Sequence, residues 1–341
     1  MTETLSHEPL APPIRPIGKR VLSIAAHVVL AVTMLVLGLP AVFLPAVLFH
    51  CGVRNGRRAA WIVFIAAAAI VLVLAVPGAQ DPHTPANFAN FTIAFSIALL
   101  LSVGLPSVLA LPLIERGERF GRVLVFAVLA GLGGLLATEV IMQLSASYSP
   151  YAAQVAAYGE FTGKVLDLYH QKGFPPDTIA LVHKGMNLLG FATTGVLLSD
   201  VAMIFVISLV LFVRLPAWRQ FAERRALPAP GAYLFRNLAL PDWLLFAFVV
   251  GGVSPLLTGL PQRIGASVLA VVAFLYILQG LAIFRAYVAA ASAGFALFAW
   301  GALILLTPFS LGLLGIAGIF DSFFDFRHFN RKDSSDESHS H

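Results

Sequence analysis

Asp200 stands at the middle of the apolar run Asn187–Val213. If that run crosses a bilayer, its carboxylate lies near the midplane, where an ionised group costs at least a few kcal/mol. A group placed there binds a cation, carries a proton or glues helices together. Thr193 shares its helical face, and Thr194 lies nearby. Two more apolar runs carry polar pairs. Glu139 and Gln143 are four apart in Val123–Leu144, and Tyr276 and Gln279 are three apart in Ala266–Phe284. Three helices thus offer acceptors, donors and an aromatic ring, enough to line one small cavity for a polar or cationic solute. As hydrogen bonds between helices, the same groups would be worth about 1 kcal/mol each. The residue types leave both readings open.

Catalysis has no comparable footing. The chain lacks the G-x-x-x-x-G-K-[ST] loop of nucleotide hydrolysis and the H-E-x-x-H pair of zinc proteases. Ser107 follows Gly104-Leu105-Pro106, with no Gly or His placed to activate it. Glu115-Arg116-Gly117-Glu118-Arg119 lies in a basic loop and reads as solvated charge. His27 reads as a satisfied core histidine. Cys51 reads as a small apolar residue at a helix end, with a reactive thiol as the sharper alternative. His339 and His341 make at most a weak metal site in the tail. The expectation is a non-enzyme without a cofactor.

Only 11% of the 341 residues are charged and 59% are hydrophobic. Soluble domains carry roughly 25% charged residues, so a water-soluble globule is excluded. The expected fold is an all-α, polytopic helical transmembrane bundle of about 8–10 segments, a short Pro-broken second segment included. The net charge of +5 suits loops that meet anionic lipid. No stretch interleaves basic and aromatic residues as an RNA surface does, so nucleic acid is not an expected partner.

Residues 1–20 read as a disordered tail, 21–320 as one membrane domain and 321–341 as a polar tail. Val21–Phe49 is too long for one crossing, and Pro40 and Pro45 divide it. A full span followed by a short returning segment, with a cytoplasmic N-terminus, collects Arg54, Arg57, Arg58, Arg116, Arg119, Arg122, Arg214 and Arg219 on the inner side. A single long helix would put most of them outside, so the positive-inside rule favours the return. The irregular backbone at the prolines must then be sheltered by neighbouring helices. Near the C-terminus, Pro308 is placed to split Ser292–Phe320 into two short passes and keep the tail inside.

The outer loop from Ser145 to about Gly185 carries an amphipathic pattern over Ala152–Gln171, stopped by Pro175-Pro176, with Asp177 placed to cap the next helix. It is either a surface connector or a lid over an outward cavity. The inner loop Leu215–Leu240, with Trp218, Phe221 and Arg224-Arg225, is expected to lie on the inner leaflet or dock a partner. Gly312, Gly315 and Gly318 are spaced for close helix packing.

Three stretches then belong together: Phe235–Leu244 (FRNLALPDWL), Leu275–Ala282 (LYILQGLA), and Leu313–Asp321 with Phe324-Asp325-Phe326-Arg327. With the Pro-interrupted Leu39–His50, this pattern resembles the YybS-like family of bacterial membrane proteins. That family is in turn distantly similar to the substrate-binding subunits of energy-coupling-factor transporters. The resemblance implies a multi-pass protein of the bacterial cytoplasmic membrane that binds a small solute and works with separate ATPase and coupling subunits. It departs from the transporter pattern in one place: the A-x-x-x-A signature of the first helix is missing, since Ala25 and Ala26 are followed by Leu30 and Ala31 out of register. A scaffold without ligand and a proton-coupled transporter, with Asp200 or Glu139 cycling its proton, are the alternative functions.

Overall fold

In lipid, a helix is the structure in which a single segment pairs its own N–H and C=O groups, so long apolar runs fold that way. The computed structural model describes residues 17–324 except 38, 81–85, 225–233 and 290. Among them there are helices and no strand. In order they are α1 (Ile17–Leu37), a 3-10 turn at Leu39–Phe43, α2 (Leu44–Asn55), α3 (Arg57–Gln80), α4 (Ala86–Leu99), a π turn at Leu100–Gly104, α5 (Leu105–Glu115) and α6 (Phe120–Ala146). There follow α7 (Pro150–Gln171), α8 (Pro176–Phe191), α9 (Thr193–Phe212), α10 (Pro216–Arg224), α11 (Leu244–Gly252), α12 (Leu260–Val288), α13 (Ala293–Leu305) and α14 (Thr307–Phe324). Among the described residues six stretches are long and apolar enough to cross a bilayer, and α13 with α14, bent by 110° at their break, counts as a seventh if the pair is taken as one broken span. The bend falls beside Pro308, as expected. The run Trp243–Leu257 is no full crossing: α11 is nine residues long and gives way to a 3-10 turn at Ser254–Leu256. The tails, with His339 and His341, and Arg225 of the basic loop lie outside the described residues.

The helices gather into two compact units. The first comprises residues up to 119, 126–141 and 203–234. Here α2 folds back along α1. Arg20 donates to Asn55 O at 2.9 Å, and His27 Nε2 lies 2.9 Å from His50 Nδ1. Rising numbers on α1 thus meet falling numbers on α2, which is the returning segment expected from the charges. Ser208 donates to Val42 O at 2.7 Å, covering a carbonyl of the 3-10 turn between them. His27 Nδ1 lies 2.6 Å from Ser23 O. A carbonyl only accepts, so Nδ1 carries the proton and Nε2 of the neutral ring accepts from His50. His27 is the satisfied core histidine foreseen, and Cys51 is buried.

An aromatic column fills this unit. Phe49 packs on Phe205 and Phe212, and Phe212 on Trp218, with centroids 5.3–6.2 Å apart. Trp218 is thus turned inward, and α10 spends its largest side chain on its own unit and not on a leaflet or a partner. The π turn precedes Pro106, whose missing N–H breaks the regular hydrogen-bond ladder. The Leu101 carbonyl of that turn lies against Gly134 so closely that a Cβ there has no room.

Glu115 departs from its expected role as solvated charge. It accepts from Arg57 Nε at 2.7 Å and its side chain is only 9% exposed, because α5 ends where α3 begins. Arg57 remains half exposed, so the pair is worth about 1 kcal/mol. Glu115→Gln is expected to lower the unfolding midpoint of detergent-solubilised protein by a few degrees. Thermal melts at low and high salt check this, with the difference narrowing as salt screens the pair.

The second unit comprises residues 120–125, 142–202 and 235 onward. It holds the α7–α8 hairpin and a bundle centred on α12. Gly251 lies against Leu269, Gly265 against Ser254, and Leu240 against Gln279, so α11 runs antiparallel to α12. Gly280 meets the Leu314 carbonyl and Gly318 the Tyr276 carbonyl, which sets α14 antiparallel on another face of α12. Of the three glycines singled out by spacing, only Gly318 makes this backbone contact. A Cβ on Gly315 would meet only Ile277, at 3.5 Å, and one on Gly312 would meet nothing within 4 Å.

Candidate functional site

The polar α7–α8 hairpin makes a groove with the first turn of α12. Helix α7 starts at Pro150 because Ser149 Oγ accepts from Ala152 N at 3.0 Å. It ends at Gln171, and Gly173 just beyond the cap has a φ of +71° that suits glycine. Pro176 is the first residue of α8, a position where the missing N–H costs nothing. Asp177 therefore sits inside the first turn and is not the cap that the spacing suggested. Its charge still faces the helix dipole favourably.

Tyr158 ties the hairpin together, donating from Oη to Met186 O at 3.0 Å. Burial pushes its hydroxyl above the ordinary tyrosine range, so it remains a donor at physiological pH. Beside it the two helices leave a cavity of about 390 Å³. Gly159 and Gly163 form its floor on α7, with nothing within 4 Å of either Cβ position. His183, Asn187 and Phe191 supply the α8 wall, and Arg263 closes the α12 end. Asn187 Nδ2 lies 3.3 Å from His183 Nε2. An amide NH₂ only donates, so His183 accepts there and presents Nδ1–H. The Arg263 guanidinium carbon lies 6.0 Å from the Phe191 ring centroid. Volumes of about 300–1,000 Å³ with a few convergent polar groups are typical of small-molecule sites.

A family model described as "predicted membrane protein (DUF2232)" matches residues 22–322. The chain belongs to this family. No curated protein and no solved structure matches it significantly. The matched span of this DUF2232 member takes in almost all of the three C-terminal stretches quoted above, and their described parts meet at α12. Leu240 N donates to Gln279 Oε1 at 3.1 Å, and Gln279 Nε2 donates to Asp321 Oδ2 at 2.9 Å. Ala239 lies on Gly121 of α6. Tyr276 is fully buried, edge-on to Phe248, with Asp242 and Ser322 among its polar neighbours.

The other residues chosen by type fall differently. Thr193 is buried and donates to Gly190 O at 2.7 Å, bracing the corner of the groove. Asp200 lies about 10 Å further along α9 and is exposed. Glu139 is half-buried and Gln143 exposed on α6. Gln279 has both ends of its amide committed to Leu240 and Asp321. Arg263, His183 and Asn187 were not selected from the sequence. The available signal was the glycine pair Gly159 and Gly163, one turn apart on an otherwise amphipathic helix.

Proposed function

We propose that this DUF2232 member is a small-solute-binding subunit of the bacterial cytoplasmic membrane, with its N-terminus in the cytoplasm. The solute enters the groove between α7, α8 and the first turn of α12, and the α7–α8 hairpin is its lid. The observation that carries this reading is the glycine-floored cavity itself: space of ligand size, walled by Arg263, His183 and Asn187 on two further helices. The arginine-rich loops support this orientation, because the positive-inside rule favours them in the cytoplasm and an outer hairpin goes with that. The resemblance of the C-terminal stretches to YybS-like proteins, and through them to energy-coupling-factor binding subunits, supports a role in uptake driven by separate ATPase and coupling subunits.

Gly163→Leu tests the reading, because its side chain fills the groove and meets no atom within 4 Å at its Cβ. Native mass spectra of gently extracted wild-type protein are expected to carry a small-molecule adduct that the variant lacks. The same adduct on both proteins, or none on either, counts against the reading.

A further inference from the structure

The groove has a definite electrostatic sense. Arg263 is the one lining residue with a fixed charge, and no carboxylate lines the cavity. Arg263 forms no ion pair among the described residues, and the hairpin's Lys164–Glu160 pair satisfies itself elsewhere on α7. The guanidinium carbon lies over the Phe191 ring, 6.0 Å from its centroid, at the limit of cation–π reach, and a guanidinium so placed still has N–H donors to offer a planar acceptor. His183 adds the Nδ1–H donor fixed by Asn187. The Tyr158 hydroxyl is already spent on Met186 O. Of the remaining lining, Tyr151 and Thr162 carry hydroxyls, Thr162 donating its own to Tyr158 O at 2.9 Å, while Val155, Leu166 and Phe191 over the glycine floor are apolar.

We propose that the ligand is an oxyanion on an apolar body. A carboxylate or phosphate is held by Arg263 and His183, and the body lies along Gly159 and Gly163 against Phe191. This rests on the solute-binding reading and specifies its chemistry, replacing the cationic solute that Asp200 and Glu139 suggested. Arginine suits this task because its fork meets two oxygens of one anion at once. A free solute and a short lipid share that chemistry, so the test separates them.

The probes are 4-fluorobenzyl phosphate and 4-fluorobenzylamine, which share a body and differ in charge, observed by fluorine NMR with the full chain in neutral detergent. The phosphate is expected to bind wild-type protein. Its affinity should fall about tenfold or more in Arg263→Gln, recover in part in Arg263→Lys, and vanish in Gly163→Leu and Gly159→Leu. The amine is expected not to bind. Displacement by dihexanoyl phosphatidate better than by unlabelled benzyl phosphate assigns the oxyanion to a lipid, and the reverse order to a soluble solute; either supports the proposal. Equal binding of both probes, unchanged in Arg263→Gln but lost in Gly163→Leu, overturns the anion and leaves the groove a binding site. Absence of specific binding by either probe, or binding indifferent to both glycine variants, overturns the site as well.

Discussion

Gln279→Met is expected to lower the unfolding midpoint by roughly 10 °C, although methionine nearly matches glutamine in size. The side chain bridges two polar groups from separate segments. On one side is Leu240 N–H, in backbone that is neither helix nor strand. On the other is the largely buried Asp321. The residues Arg263 and Arg285 mark the polar ends of α12, and their separation is about 33 Å at 1.5 Å per residue. That matches the hydrocarbon thickness, so Gln279 lies within the membrane and Leu240 with it. Lipid offers no donor or acceptor to irregular backbone at that depth. A bare buried N–H costs about 1–3 kcal/mol, and loss of the bond to a carboxylate adds a similar amount. The sum corresponds to the stated shift at a few degrees per kcal/mol. The orientation of the amide is dictated too: Leu240 N can only donate, so Oε1 must face it and Nε2 must face Asp321. Thermal melts followed by tryptophan fluorescence would check this. A midpoint within about 2 °C of wild type would show that Leu240 finds another acceptor.

That bridge also marks what the sequence could and could not disclose. The hydropathy of Ile17–Leu37, Phe120–Ala146 and Thr193–Phe212 made the spans readable, and Pro40, Pro45 and the arginines made the returning α2 readable. Which polar residue faces inward was not readable. These helices are apolar on every side, so no periodicity separates a buried face from a lipid face. Asp200 drew attention for its charge and is exposed, whereas Gln279, chemically milder, holds the join of three segments. Asp321 escaped notice as a site residue because it sits at the edge of an apolar run, and only its distance from Gln279 reveals it. Arg263 reads as loop charge in one dimension. Its meaning comes from Phe191 and His183, more than seventy residues earlier, which the hairpin brings alongside. Trp218 is the reverse case. Its amphipathic surroundings suggest a membrane surface, yet Phe212 gives it an internal seat.

Gly318→Ala is expected to prevent the packing of α14 on α12, while Gly312→Ala leaves it intact. The two glycines share a helix, lie six residues apart and look equivalent in sequence. In the fold, a Cβ at Gly318 would fall inside the Tyr276 carbonyl, a main-chain group with no rotamer to escape into. Relief requires the helices to separate. Separation also pulls Gly280 off the Leu314 carbonyl and strains the Gln279–Asp321 bond, because all these contacts sit on one antiparallel seam. Between membrane helices, close van der Waals contact and interhelical hydrogen bonds are the main attraction, since lipid is as apolar as the side chains. The loss at Gly318 is therefore not repaid by burying a methyl group. At Gly312 the added methyl meets open space, and alanine is the better helix former by about 1 kcal/mol. Cysteines at Ile277 and Gly315 would report the seam directly. Their Cβ positions are close, since a Cβ on Gly315 would lie only 3.5 Å from Ile277 Cγ1, so they should cross-link on mild oxidation in the parent and in Gly312→Ala. The same pair in Gly318→Ala should not. Equal cross-linking in all three would mean that α14 tolerates a Cβ at Gly318 by sliding along α12, and that the glycine contact does not hold the two helices in register.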